Sequence, residues 1–265
     1  MKKTILLILG LILTSGIIYS QDGISAEKIP VNDFHTITIK GSFEVIIKQG
    51  ASPEISVETT ENMRPYINVK SSENTLDIEH NVVRKFFSPS SMRIHITATS
   101  KLNVIIASNN ASIRMVSPFN TKKLVLDLLS ASSFQTNESI NTELLVLYTG
   151  KSSNVVLSAP VKTIKAEIYN FASSEISAAI ESTEISFESA SSSKTTLSGS
   201  TGIIKATMAG NSRLNAAELK AGKVEVYTRT GAKAALSATE SFIGLKKSFS
   251  TIECVGKQPK HVNIQ

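Results

Sequence analysis

The chain holds one cysteine, Cys254, and no tryptophan in 265 residues. A single cysteine excludes an intramolecular disulfide, so stability must come from packing and hydrogen bonding. Aromatic residues make up only 6%, which leaves Ile, Leu, Val and Ala to build the interior. Aspartate occurs only at positions 22, 33, 77 and 127, and histidine only at 35, 80, 95 and 261. None of the histidines pairs with another, or with Cys254, at metal-ligand spacing. The Gly-Gly-x-Gly-x-Asp repeat of calcium-binding β-rolls is missing. No metal and no cofactor is therefore expected. Charges of both signs are spread along the chain, with only weak basic clusters at Arg84-Lys85 and Lys246-Lys247. That spread reads as solvated faces and not as a nucleic-acid footprint.

What is present begins with an export signal. Lys2 and Lys3 precede an apolar run over 5–13, and small polar residues follow it. The run is short for a span of roughly 20 residues, so residues 1–20 read as a cleaved signal peptide, cut between Ser20 and Gln21. No stable membrane span is expected after cleavage. Losing Lys2 and Lys3, and no acid, lowers the formal charge from +6 to +4.

The stretch 131–250 then divides into six similar blocks of about 20 residues each, a length typical of stacked repeats. Small residues open most blocks: Ser132-Ser133, Ser152-Ser153, Ala172-Ser173-Ser174, Ser191-Ser192-Ser193, Ser212. One column reads Val156, Ile176, Thr196, Ala216, Leu236, and another Leu144/Val146, Ile164/Ala166, Ile204/Ala206, Val224/Val226. The second extends back to Val104/Ile106 and Leu124/Leu126/Leu128, and slips by one residue at Ile185/Phe187 and at Ile243/Leu245. Asn110, Gly150, Asn170 and Gly210 recur at multiples of 20. Gly and Asn take left-handed backbone angles most easily, so that column predicts a repeated corner.

A fixed period of this size signals stacked repeats, each too short to bury its apolar face alone. Within each block the apolar residues alternate by two, the strand period and not the helical one. The fold class expected is all-β: a single-stranded parallel β-helix, or β-solenoid, with ~20-residue coils at the strand spacing. Right-handed winding follows from the general crossover preference. Before residue 91 the strands are less regular, over 36–40, 43–48, 54–58, 66–70 and 75–79, and these serve as a cap for one end. Arg84-Lys85-Phe86-Phe87 reads as a loop that tucks one or both rings onto the core, in preference to an exposed binding patch.

The segment 34–50, FHTITIKGSFEVIIKQG, resembles the opening motif of the auto-transporter adhesin head GIN domain family. It has an aromatic, alternating strand residues, a Gly, a second aromatic, a Val and a Gln-Gly turn. The Ser/Gly-rich coils are similar to that family's second half, with Ser/Ala pairs where Gly-Ser-Gly corners are common. The resemblance implies a β-helical head and an adhesin label in exported proteins of Gram-negative bacteria. The expected layout is a signal peptide at 1–20, a leader at 21–32, a GIN-type β-helical domain at 33–250 (irregular strands 33–90, regular coils 91–250) and a C-terminal strand and tail at 251–265.

Three functions compete. The first is an exported, non-enzymatic, adhesin-like binding module with a protein or glycan ligand, in the periplasm, on the outer surface or secreted. The second is a polysaccharide-active enzyme, which needs two convergent carboxylates; Glu181, Glu184 and Glu188 form the densest acidic group. The third is a structural envelope protein that assembles with copies of itself. Ser191-Ser192-Ser193-Lys194 matches Ser-x-x-Lys in form, but that motif works from a helix and here lies between strands. Scarce Tyr and absent Trp weigh against glycan stacking.

Overall fold

The computed structural model describes residues 18–19, 23–80 and 92–265. The proposed cleavage point Ser20–Gln21 and the Arg84-Lys85-Phe86-Phe87 stretch lie outside them. Strands dominate, and they stack in parallel into a β-solenoid of about eight turns. Each regular coil runs through a first strand, a tight corner, a second strand, a short third strand and a second corner. The coil from Lys123–Leu128 through Ser133–Thr136 to Ile140–Asn141 is representative.

Alternation explains why these segments are strands. In Lys123–Leu128, Leu124, Leu126 and Leu128 point inward and are fully buried, while Val125 and Asp127 face outward. Parallel pairing puts each inward residue on the one in the next coil: Leu124 on Leu145, Leu126 on Leu147, Leu128 on Thr149. The result is one continuous core from Phe34 to Ile252.

The repeat is not strict. One rung column reads Val104, Val125, Val146, Glu167, Ser186, Lys205, Glu225, Ile243, with successive intervals of 21, 21, 21, 19, 19, 20 and 18. The intervals average close to 20, so that period is visible in sequence while single columns drift across the sheet. A one-residue slip turns a side chain to the opposite face. Ile164 is accordingly 60% exposed and Ile243 53%, while Phe242 takes the interior at 0%. Val156 and Thr196 also face outward, and Val155 and Thr195 point in.

The first corner drifts in the same way. Two consecutive residues take positive φ in each of eight coils: Asn109–Asn110, Ser130–Ala131, Lys151–Ser152, Ala172–Ser173, Ser191–Ser192, Gly210–Asn211, Thr230–Gly231 and Ser248–Phe249, all between 53° and 75°. Asn110 and Gly210 belong to these corners; Gly150 and Asn170 do not. Asn170 is instead fully buried just ahead of its corner. Its Oδ1 accepts from Thr149 Oγ1 at 2.8 Å, and its Nδ2 donates to the Lys194 carbonyl at 2.7 Å and to Thr195 Oγ1 at 2.8 Å, so it ties three coils together.

Left-handed angles cost a residue with a Cβ about 1–2 kcal/mol. Stacking offsets part of that cost. The amide of the second corner residue donates to the carbonyl of the next coil's corner, from Asn110 to Ser130 at 3.0 Å through to Gly231 to Ser248 at 3.0 Å. Flanking amides donate the other way, as from Ser133 to Ala111 at 2.8 Å, so each corner is bonded on both sides. The residue after each pair is small: Ala111, Ser132, Ser153, Ser174, Ser193, Ser212, Ala232, Ser250. The first seven are buried, because the chain turns inward there and leaves no room. Ser132 and Ser153 donate back to the carbonyls of Leu129 and Gly150 at 2.9 and 2.8 Å.

The second corner is held by hydroxyls. Thr121, Thr142, Thr163 and Thr201 each donate to the carbonyl two residues on, at 2.9–3.3 Å, a local bond that favours turns over strand.

At the N-terminal end the coil order departs from chain order. Thr36–Lys40 pairs in parallel with both Thr75–His80 and Val104–Ser108, and Glu44–Gln49 with both Met92–Ala98 and Ser112–Met115. The earliest coil therefore sits between two later ones. Antiparallel strands Glu54–Thr60 and Ile67–Ser71 cover the outer coil, and Ile24–Ile29 pairs with Glu54–Thr60. This closes the end that sequence marked as irregular and protects the ladder from edge pairing.

Two substitutions test the corner. Ala131→Gly removes a Cβ at φ 62° and is expected to leave unfolding free energy unchanged or raise it by up to about 1 kcal/mol. Ser132→Val overfills a closed site and is expected to cost about 1–3 kcal/mol. Thermal and urea unfolding of both variants checks this; a destabilised Ala131→Gly would refute the account of the corner.

Candidate functional site

The acidic group marked by sequence does not converge. Glu181 stands at the second corner, 4.0 Å from Lys162 Nζ. Glu184 and Glu188 lie on the next strand, four residues apart, which is roughly 13 Å of extended chain. Glu184 lies beside Lys165 in register, and Glu188 between Tyr169 and Thr207. Ser191 and Ser192 form a left-handed corner, with Ser193 buried and Lys194 exposed, so the Ser-x-x-Lys match has no helical face. Among the described residues no group of three or more His, Cys, Asp or Glu could hold a metal. No helix there is long and apolar enough to cross a membrane.

The histidines stand apart. His80 packs edge-on against Phe43 at 5.2 Å, and its Nε2 accepts the Ser42 amide at 2.9 Å. Gly41, at φ 135°, makes room for it; a Cβ there would lie 2.3 Å from the ring. Burial pushes the His80 pKa down. His95 meets Glu58 at 3.0 Å within a surface network in which Arg93 bridges Glu44 and Glu58 and Arg114 meets Glu44 at 2.7 Å. His95, foremost, and Arg93 hold the Glu58 carboxyl below its ordinary range. His35 and His261 are exposed. Burial pushes the Cys254 thiol up, away from the reactive thiolate.

A different face draws notice. Asp127, Tyr148, Tyr169 and Glu188 form one outward column across four neighbouring strands. The two tyrosine rings stack with centroids 4.4 Å apart and planes within 15°. Tyr148 is 43% exposed. Beside this column run Val104, Val125, Val146 and Glu167 in register. Asp127 thus sits among apolar neighbours. It has no hydrogen-bond or ion-pair partner among the described residues, and burial raises its carboxyl pKa. Burial, then Glu167, raises that of Tyr169. The arrangement is a face-to-face ring pair, each ring covering one face of the other, with a carboxylate at each end of the pair. Sequence reading missed it. The available signal was the spacing of the two tyrosines, which exceeds the average repeat by one.

A family profile described as "Putative auto-transporter adhesin, head GIN domain" matches twice, at residues 33–158 and 139–257. The chain belongs to this family. The GIN domain accounts for nearly all of the described solenoid, and the double match reflects coils that repeat one pattern. No curated protein matches. Among solved structures, a "putative adhesin" from Parabacteroides merdae ATCC 43184 is similar at 18% identity and TM-score 0.79, over 89% of this chain and 98% of that one. A "putative lipid binding protein" from Parabacteroides distasonis ATCC 8503 is similar at 20% identity and TM-score 0.65, over 92% and 98%. A "putative adhesin" from the same strain has 16% identity and TM-score 0.56, over 91% and 98%. At these identities the likeness is one of fold.

His80 makes the GIN domain's stability depend on pH. Its pKa is lowered in the fold, so the neutral ring is the form that suits the fold. Its contribution is complete above the ordinary value of about 6.5 and is lost as pH falls from there toward the lowered value. Stability of the wild type is expected to drop more between about pH 7.5 and about pH 5.5 than that of His80→Gln. Parallel slopes in thermal unfolding across that range would refute it.

Proposed function

We propose that this GIN domain is an exported, non-enzymatic, adhesin-like binding module acting at the cell surface or in the periplasm of a Gram-negative bacterium, and that the Tyr148–Tyr169 face holds a glycan. The observation that carries this reading is the stacked tyrosine pair, partly exposed on the sheet surface and flanked by Asp127 and Glu188. Sugars offer apolar C–H groups that pack against the exposed ring edges and outer faces of such a pair, and hydroxyl groups that donate to carboxylates. A parallel sheet repeats its surface from coil to coil and suits an extended chain of sugars. The family description and the P. merdae adhesin support the adhesin part of the reading. The separate, solvated positions of Glu181, Glu184 and Glu188 support the non-enzymatic part. Export rests on the N-terminal pattern of Lys2-Lys3 and the apolar run over 5–13.

A second reading, self-assembly, draws on the apolar residues around the same face: Leu129 at 38% and Ile164 at 60% exposed. Sedimentation at high concentration separates the two, since a clean monomer counts against assembly.

A glycan array probed with the wild type is expected to identify a ligand. Tyr148→Ala/Tyr169→Ala together should weaken its binding by about tenfold or more, as two rings each contribute on the order of 1 kcal/mol, with the unfolding midpoint little changed. Binding that ignores both substitutions, or steady polysaccharide turnover, would overturn the proposal.

A further inference from the structure

The last of the eight stacked corners differs from the rest. Its second residue, Phe249, has φ 61° and is fully exposed, at 102%. The equivalent positions hold Asn110, Ala131, Ser152, Ser173, Ser192, Asn211 and Gly231. A bulky side chain is the least suited to left-handed angles, and here it gains no packing in return. The outward row that leads to this corner is apolar as well, with Ile243 at 53% and Leu245 at 39% exposed.

At the tip of the corner the charges are cations, the nearest acids being Glu225, in register with Ile243, and Glu253 further along the chain. Lys246 and Lys247 precede the corner, and both are exposed. The Lys247 amide donates to the Thr228 carbonyl at 2.8 Å and the Gly231 amide to the Ser248 carbonyl at 3.0 Å, which sets Arg229 and Lys233 in the adjoining coil around the same tip. Residues 190–265 carry eleven Lys or Arg against four Glu. Every ion pair among the described residues falls between Lys28 or Glu27 and Glu181, so none of those eleven cations has an acidic partner there. The even spread of charge along the sequence thus hides an earlier part that holds every ion pair of the described residues and a basic later part that holds none.

We infer that this corner docks on an anionic lipid surface, with Phe249 seated at the headgroup–acyl boundary and Arg229, Lys233, Lys246 and Lys247 against the phosphates. A soluble polyanion would satisfy the cations and leave Phe249 in water. An apolar pocket on a protein would take Phe249 and leave the cations unpaired. An anionic bilayer takes both, because aromatic anchors and basic residues each favour that interface. The surface is separate from the tyrosine pair, and so is its test.

The experiment is vesicle co-sedimentation of the full purified chain, wild type beside variants, so that any contribution of residues 1–20 is common to all. Vesicles of phosphatidylcholine alone are compared with vesicles containing phosphatidylglycerol. Binding should require phosphatidylglycerol and fall with added salt. Lys246→Gln/Lys247→Gln should weaken it by about tenfold or more, at about 1 kcal/mol per cation. Phe249→Asn should weaken it by about fivefold or more and leave the unfolding midpoint equal or higher, because Asn tolerates this backbone. Four results would each overturn the proposal: equal binding to both vesicle types, vesicle binding by Phe249→Asn that matches wild type, a lowered midpoint in that variant, or self-association that depends on Phe249 in a chain that ignores vesicles.

Discussion

Everything in this fold depends on a turn that polypeptides avoid. Each coil closes at its first corner only if two consecutive residues go left-handed, a conformation that disfavours any residue with a Cβ. A single such turn would be a weak point. Eight of them in register become a ladder, because each corner amide finds the next corner's carbonyl at hydrogen-bonding distance. The small buried column behind it follows from the same geometry. So does the shared drift of strands and corners, since both must lengthen or shorten together for the ladder to stay paired.

Much of this was legible in the residues. Period-two alternation, repeated blocks and Ser/Ala pairs pointed to stacked strands and tight corners, and the segment 34–50 pointed to the family. Individual columns were less legible. Longer early coils and shorter late ones average to the visible repeat, yet each departure moves a side chain to the other face, which is how Ile164 and Ile243 came to be read as core. Asn170 looked like a corner residue from its spacing. Its actual work is bonding to Thr149, Lys194 and Thr195 inside the prism. Those contacts join separate coils, and no local pattern encodes them. The tyrosine pair was hidden for the same reason: it exists only once the register sets Tyr148 on Tyr169.

Surface chemistry divides along the solenoid. The early coils hold the ion-pair network of Arg93, Glu44, Glu58 and Arg114. The middle coils present the paired rings and an unpartnered, partly desolvated Asp127. The late coils carry unpaired cations. Since the scaffold hardly changes from coil to coil, outward residues can vary with little effect on the core, and different coils can hold different surfaces. In such a fold surface chemistry can differ from coil to coil on one scaffold.

The interleaved start of the solenoid has a consequence for how the chain assembles. Once the coil that begins at Val104 is in place, each new coil meets only the one before it, and such a stack can grow in order as the chain appears. The first coil cannot be completed this way. Thr36–Lys40 must wait for Val104–Ser108, and Glu44–Gln49 for Ser112–Met115. Closing those long loops must precede any gain from the pairing. The longest loop closures therefore fall at the end that is made first. The regular coils, which look like the body of the protein, stack on a first coil whose pairing is complete only after Met115 has been made.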